Sequence, residues 1–158
     1  MANTRALARG HIRIEVRDAH TGVLLHTQHV HNLLTEAGAS LIRDALAGVA
    51  GAALTYIAYG TGTTPPTRAD TTLEVEEERD TLTALTVTDP GKLVCEHYLD
   101  TTAANGHTLT EIGLYGGATA SSTPDSGSLY SRAILSTPII KTSDIACTVW
   151  WELTWEGR

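Results

Sequence analysis

The sequence contains little positive charge, no phenylalanine and no long apolar segment. Its 158 residues include 11 Lys and Arg against 18 Asp and Glu, and the resulting net charge is −7. Because a nucleic-acid surface requires clustered Lys and Arg, we expect no nucleic-acid partner. No apolar run approaches the roughly 18 residues that cross a bilayer, and residues 1–10 lack the apolar core of a signal peptide. We therefore expect no membrane partner and synthesis in the cytoplasm.

The sequence also lacks the residue patterns of common catalytic and metal sites. It contains no Gly-x-Ser-x-Gly elbow and no His-Glu-x-x-His motif, and the carboxylates of Glu74 and residues 76–78 form a like-charge run typical of a solvated edge. Cys95 and Cys147 lie in apolar runs without C-x-x-C spacing. We expect two small buried thiols, with a disulfide or a metal pair as the alternatives. We expect no cofactor and no enzymatic activity.

Alternating apolar residues predict a protein built mainly from β-strands. Ile12, Ile14 and Val16 alternate with polar neighbours, which is the period of a half-buried strand. Further strands are predicted at 23–30, 54–59, 79–87, 93–99, 108–115 and 128–135. We expect antiparallel strands to form a β-sandwich in a single domain of residues 11–158, preceded by an N-terminal arm of residues 1–10.

One segment, residues 33–47, has the period of a helix. Apolar and small residues recur there at spacings of three and four, Asn32 has the chemistry of an N-cap, and Gly48 can end the helix. We expect this amphipathic helix to pack on the sheets. Thr71 and Glu74 have capping-box spacing, which predicts one additional helical turn.

The segment 145–155 shows the clearest alternation in the sequence, so we expect it to be a central strand. Trp151 and Trp155 share one face with other apolar residues and are predicted to lie in the core. Trp150 points to the opposite face among polar neighbours, where a Trp is favoured as an interface anchor. In the N-terminal arm, Arg5 and Arg9 are predicted to contact an acidic surface of a partner.

A glycine-rich loop follows the third predicted strand. It resembles a phosphate-binding loop only superficially, because it lacks the required Lys and no helix begins directly after its glycines. Gly60 and Gly62 are expected to supply backbone angles closed to other residues, and the two prolines to stiffen the exit. Because loops on rigid sheets often carry function, Thr63, Pro65 and Pro66 are predicted partner contacts.

His26, His29 and His31 are close in sequence, but a strand places His29 and His31 on one face and His26 on the other. One strand therefore offers two ligands, whereas zinc takes about four. The two interpretations are a solvated polar face and a metal site completed by another subunit.

Glu111 lies in an otherwise apolar segment, between Leu109 and Ile112. Burying a carboxylate alone is costly, so a partner is expected for it. We predict a structural pairing.

Four segments follow one another in an informative order. They are Tyr56-Ile-Ala-Tyr-Gly-Thr-Gly-Thr-Thr-Pro-Pro66, Thr72-Leu-Glu-Val-Glu-Glu-Glu-Arg79, Leu109-Thr-Glu-Ile-Gly-Leu-Tyr-Gly-Gly117 and Leu129-Tyr-Ser-Arg-Ala-Ile-Leu-Ser-Thr-Pro-Ile-Ile-Lys-Thr142. Jointly, over residues 32–155, they resemble the small β-rich domain of tailed-bacteriophage virion proteins, especially the N-terminal collar-type domain of tail fibres.

The resemblance assigns roles to individual residues. It implies that Leu73 anchors the glycine-rich loop and that Arg79 pairs with a carboxylate such as Glu111, with a plain surface charge as the alternative for Arg79. Lys141 is predicted either to reach water at the sheet edge or to contact a neighbouring subunit.

The resemblance also implies a structural protein of a tailed-bacteriophage virion, made in the host cytoplasm and located in the virion. We expect an attachment module that docks on the tail, as a fibre or tail-tip adaptor, with other virion proteins as partners and a homotrimer as its assembly. Tail fibres of the family continue into a repetitive shaft, which this sequence lacks. A capsid decoration protein that cements the major capsid protein is therefore the alternative, and a small ligand-binding sandwich or enzyme is a more remote one.

Overall fold

The computed structural model describes residues 6–157 of the protein, with the side chains of residues 8–156. Within this part of the chain the elements are β1 (Ala6–Asp18), β2 (Leu24–His31), β3 (Leu33–Leu34), α1 (Glu36–Leu46), β4 (Leu54–Gly60), β5 (Glu76–Thr81), β6 (Ala84–Val87), β7 (Lys92–Leu99), β8 (Thr108–Gly116), β9 (Ser128–Ile140) and β10 (Ile145–Gly157).

The strands form two antiparallel sheets of five strands each. Sheet A has the order β2-β1-β10-β7-β6, and sheet B has the order β3-β9-β8-β4-β5. The inner faces of the two sheets enclose one apolar core. The protein is mainly β, a β-sandwich with one packed helix, as the sequence predicts.

The pairing of β1 with β10 shows why alternating residues were informative. Ile12 lies opposite Trp151 and Ile14 opposite Val149, and all four side chains are buried on the inner face of sheet A. Because side chains alternate between faces, the polar residues between them point outward. β10 lies in the middle of sheet A, as predicted.

The predicted N-terminal arm is wrong for residues 6–10. β1 begins at Ala6, which pairs with Gly157, and the pairing continues through Arg9 opposite Thr154 and Gly10 opposite Leu153. These residues lack apolar alternation, so their strand is set by backbone hydrogen bonds to β10. Arg9 is exposed on this strand, whereas Arg5 lies outside the described residues.

The helix is shorter than predicted at its beginning. Leu33 and Leu34 form β3 and pair with β9, so the helix begins only at Glu36. Thr35, not Asn32, is the N-cap, and its hydroxyl accepts a 2.9 Å hydrogen bond from the Gly38 backbone N–H. Gly48 follows the helix with φ of +73° and ends it, as predicted.

Two other local predictions differ from the structure. Residues 70–74 are irregular, with bends at Thr72 and Glu74, and the predicted helical turn is absent there. The strand predicted at 79–87 divides into β5 of sheet B and β6 of sheet A, because the chain crosses between the sheets at Leu82 and Thr83.

Both cysteines are free and buried, as predicted. Burial raises the pKa of the Cys95 thiol to about 12 and that of the Cys147 thiol to about 11, so both stay protonated. In the described residues, no helix has the length and apolar character needed to cross a membrane.

Candidate functional site

The Glu111 carboxylate joins three segments of sheet B. It is fully buried on β8. Its Oε1 accepts hydrogen bonds from the backbone N–H groups of Gly62 (3.0 Å) and Val75 (2.8 Å). Its Oε2 accepts from the Glu74 N–H (3.1 Å) and from Arg132 Nε (2.7 Å). The predicted structural pairing of Glu111 is confirmed, but its partner is Arg132 and not Arg79.

Arg132 extends this network to the surface. It lies on β9, with its side chain 3% exposed, and its Nη1 donates a 3.0 Å hydrogen bond to Asp70 Oδ2. Buried charges require such pairing, because an isolated guanidinium inside the protein would be strongly destabilising. The pKa of Asp70 is lowered: its bonds with Thr67 and Arg132 outweigh desolvation. Sequence reasoning missed Arg132, although its apolar neighbours Ala133, Ile134 and Leu135 are the same kind of signal that singled out Glu111.

The two glycines of the loop are required for a different reason than the predicted one. Neither has a positive φ. Instead, a Cβ added to Gly60 or to Gly62 would lie 2.5 Å from Glu111 Oε1. The loop backbone therefore approaches the carboxylate so closely that only glycine fits.

The tip of this loop is presented to solvent. Thr63 and Pro65 are exposed and Pro66 is half-buried. Below the tip, the Thr110 hydroxyl donates a 2.7 Å hydrogen bond to the Gly62 carbonyl. Hydrogen bonds therefore hold the base of the loop, and its tip is accessible to solvent. This arrangement is compatible with the predicted contact role of these three residues.

Leu73, to which the resemblance assigns the anchoring of the glycine-rich loop, lies buried in the segment beside this loop. It is 2% exposed and packs in a small cluster with Ala58, Tyr115 and Leu129 on the outer face of sheet B. Its backbone N–H donates a 2.9 Å hydrogen bond to the Tyr115 hydroxyl. Burial raises the pKa of Tyr115 well above its ordinary value.

The Arg79 side chain does not bind Glu111 but holds a second loop, the one that contains Ser126. Its Nε and Nη2 donate to the two oxygens of Glu76, at 2.6 and 2.9 Å, in the strong bidentate geometry. The guanidinium lies 4.0 Å from the centre of the Tyr115 ring, and Nη1 donates to the Ser126 carbonyl at 2.8 Å. The predicted pairing of Arg79 with a carboxylate is confirmed, but the partner is Glu76 and not Glu111, and the alternative of a plain surface charge is wrong.

The outer face of sheet A carries Trp150 and a histidine cluster. Trp150 is half-buried, and the Arg13 guanidinium lies 4.0 Å from the centre of its ring. Beside this pair, the His11 ring lies 5.1 Å from that of His29 and 5.4 Å from that of His31. Sequence reasoning missed His11, which strand pairing places opposite His31.

Within one chain, the described histidines of this cluster do not form a metal site. In the described part of the chain, no group of three or more His, Cys, Asp and Glu residues could hold a metal ion. Burial, and then the charges of His29 and His31, lower the pKa of His11. The cluster is a polar surface at the edge of sheet A.

Lys141 is not an interface residue. It is fully buried, and its Nζ donates to Asn105 Oδ1 at 3.1 Å and to the Thr142 carbonyl at 3.0 Å. The predicted contact with water or with another subunit is therefore wrong. The local pattern gave no sign of this, because a Lys after an apolar run usually directs its amine to solvent.

An open apolar groove lies at one corner of the sandwich, between α1 and the β6–β7–β10 part of sheet A. It has a volume of about 530 Å³. Its walls include Leu41 and Ile42 of α1, Leu85 of β6, Leu93 of β7 and Trp155 of β10. Trp155 is 36% exposed, so the prediction that it lies in the core is wrong.

The groove exists because sheet B does not cover this corner of sheet A. Leu85 lies opposite the buried Cys95 and points to the inner face, yet it is 46% exposed. Val87 on the same strand is 80% exposed, and Leu46 of the helix is 86% exposed. Exposed apolar side chains that line one groove, as Leu46, Leu85 and Trp155 do here, are typical of sites that contact another molecule.

No protein-family model, curated protein or solved structure matches this chain.

Proposed function

We propose that the protein is a structural component of a tailed-bacteriophage virion, an attachment module that docks on the tail. One observation carries the proposal. The four segments of the resemblance, separated in sequence, meet at the Glu111 carboxylate: Gly62 from the first, Glu74 from the second, Glu111 itself from the third and Arg132 from the fourth. Chance matches to unrelated segments would not be expected to converge on one buried network.

Docking uses the tip of the glycine-rich loop in this proposal. The Glu111 network fixes the base of the loop before any partner arrives, so little conformational entropy is lost on binding. Thr63 and Pro65 are the exposed contacts. Each copy contributes a small surface, and several copies on a symmetric platform bind tightly together through avidity.

The composition of the apolar groove favours assembly over a ligand-binding or enzymatic role. Small-molecule sites combine an apolar wall with a few convergent polar groups. The groove is lined by apolar side chains, and the histidine cluster lies on the outer face of sheet A. Such a surface suits contact with another protein chain.

We propose a homotrimer as the assembly, because closed symmetry presents identical loops to one platform. Light scattering at high micromolar concentration tests the assembly directly. A monodisperse monomer under these conditions would contradict it.

Immunogold labelling of particles of the phage that encodes the protein tests the function. Gold on the tail is expected, and gold over the head surface would instead favour the capsid decoration alternative. Particles without gold, compared with particles labelled for a known virion protein, would overturn both.

A variant pair then tests the loop. The double substitution of Thr63→Glu and Pro65→Glu should reduce the number of copies bound per particle, because it places charge at the contact tip. The control is Thr119→Glu, which adds charge to another exposed loop and should leave binding unchanged. Equal binding of both variants would exclude the loop tip as the contact.

A further inference from the structure

The Lys141 side chain is a buried amine without an opposite charge beside it. Its residue is 0% exposed, and among the described residues no carboxylate oxygen lies within ion-pair distance of Nζ. Burial lowers the pKa of the Lys141 ammonium, and the nearby Cys147, Asp100 and Glu78 oppose this only in part. A desolvated lysine becomes neutral more readily, and its free electron pair makes it a nucleophile.

Besides the Thr142 carbonyl, Nζ contacts a side-chain carboxamide. Nζ lies 3.1 Å from Asn105 Oδ1. The Asn105 Nδ2 donates a 2.7 Å hydrogen bond to the Thr101 carbonyl, which turns the amide oxygen toward the amine. Two backbone hydrogen bonds hold the segment of Lys141 against the segment of Asn105. The Lys141 N–H donates to the His107 carbonyl (3.0 Å), and the Gly106 N–H donates to the Lys141 carbonyl (2.9 Å).

These backbone bonds also restrain a competing reaction. In an Asn-Gly sequence, the glycine nitrogen is the usual attacking group on the asparagine side chain. Here the Gly106 N–H donates to the Lys141 carbonyl, and this hydrogen bond opposes the loss of the proton that an attack by the glycine nitrogen requires. Lys141 Nζ is the nucleophile that lies beside this amide.

A carboxylate is available for proton transfer. Glu78 is half-buried and lies opposite the buried Tyr59, so its side chain starts on the inner side of sheet B. Its Oε2 accepts a 2.9 Å hydrogen bond from the Ala104 N–H, which precedes Asn105. General acid–base assistance by a positioned carboxyl group is the function this location allows.

We propose that Lys141 and Asn105 form an intramolecular isopeptide bond. The Nζ electron pair attacks the Asn105 amide carbon and forms a C–N bond, while the carbon–Nδ2 bond breaks. The proton lost from Nζ reaches Nδ2 through one water molecule and the Glu78 carboxylate, and Nδ2 leaves as ammonia. The reaction needs no oxidant or cofactor, and the exposure of Asn105 lets ammonia escape to solvent.

The bond would covalently link the segment after β9 to the turn before β8. Both segments already pair through their backbones, so the product needs little change in the fold. This inference does not depend on the proposed function, since any β-sandwich with this contact could undergo the reaction.

Mass spectrometry of the full-length wild-type protein tests the proposal. We expect an intact mass lower than the sequence mass by one ammonia molecule. Proteolysis should release a branched peptide that joins Asn105 to Lys141, with trypsin failing to cleave after Lys141. The full sequence mass, with both residues recovered in linear peptides after long incubation in alkaline buffer, would overturn the proposal.

Variants separate the isopeptide bond from other losses of ammonia. Lys141→Met and Asn105→Ala should both remove the branched peptide, and Asn105→Ala keeps the buried amine in case Lys141→Met does not fold. Glu78→Gln should slow the reaction by about a hundredfold or more. If Lys141→Met keeps the loss of ammonia, the product is a succinimide at Asn105, and the proposal is wrong.

Discussion

Replacing Glu111 with glutamine tests whether one buried carboxylate holds the glycine-rich loop in place. Glutamine keeps the shape of the side chain but carries one amide nitrogen where the carboxylate has an oxygen. Either orientation of the amide directs N–H groups at two existing donors: Gly62 and Val75 on one side, or Glu74 and Arg132 on the other. Two hydrogen bonds are therefore lost, and of its two close carboxylate partners Arg132 keeps only Asp70.

The expected loss of stability follows from this geometry. Breaking a buried ion pair by removing one partner destabilises a protein by about 3–5 kcal/mol, because the remaining charge is uncompensated. Glu111 is fully buried and Arg132 nearly so, so solvent screens little of this effect. Because Arg132 keeps its ion pair with Asp70, we expect Glu111→Gln to lower the free energy of unfolding by about 3 kcal/mol, the lower end of this range.

Urea unfolding of wild type and variant measures the change, and hydrogen exchange locates it. The midpoint should fall with an unchanged slope, and the amides of Gly62, Glu74 and Val75 should exchange faster. The matched control is Glu152→Gln, which removes a surface carboxylate paired with Lys92 and should cost no more than about 1 kcal/mol. A loss for Glu111→Gln as small as that of the control would refute the role assigned to the network.

Three further predictions concern the core, the loop and the pH dependence. Trp151→Ala should lower the free energy of unfolding in urea by about 3–5 kcal/mol, because it leaves a cavity. Trp150→Ala should lower it far less but should reduce assembly. Equal losses of stability would show that both rings belong to the core. Gly62→Ala should cost about 1–3 kcal/mol, because its methyl group would lie 2.5 Å from Glu111 Oε1; an unchanged midpoint would show that the loop can move away. Burial lowers the pKa of His97 below its ordinary value of 6.5, so protonation favours the unfolded state. The stability that the neutral imidazole contributes is therefore complete above pH 6.5 and is lost as the pH falls. Wild type should lose stability below pH 6.5 more steeply than His97→Gln.

The sandwich could be predicted because the alternation of apolar and polar residues along a strand shows which of its faces is buried. The alternation at 145–155 was strong enough to place this strand in the centre of a sheet, and the structure confirms that position. The pattern gave no information where side chains do not decide the conformation. Residues 6–10 form a strand through backbone bonds to β10, and no periodic signal marks them.

The partners of the buried charges could not be predicted, because they depend on register between strands. That Glu111 needs a partner follows from a carboxylate in an apolar segment. That the partner is Arg132 follows from the pairing of β8 with β9, in which Gly113 lies opposite Arg132 and Glu111 is its diagonal neighbour. The same reasoning applies to His11 of β1, which lies near His29 and His31 of β2 only because these two strands pair.

Trp155 shows the limit of periodicity in another way. Its position in the alternation places it correctly on the inner face of sheet A. Whether that face is covered depends on where sheet B and the helix end, and at this corner they leave the groove open. Alternation therefore predicts the direction of a side chain but not the depth of its burial.

The pairing of β1 with β10 has a consequence for biosynthesis. Sheet B uses strands that are all synthesised before β10, whereas sheet A joins the first described strand to the last over thirteen paired positions. Such distant pairing is slow, since loop-closure entropy is lost before the contacts form. Until β10 arrives, the β1–β2 hairpin exposes Ile12, Ile14 and Val16 to other nascent chains. The step that protects the protein from aggregation is therefore the insertion of β10 between β1 and β7.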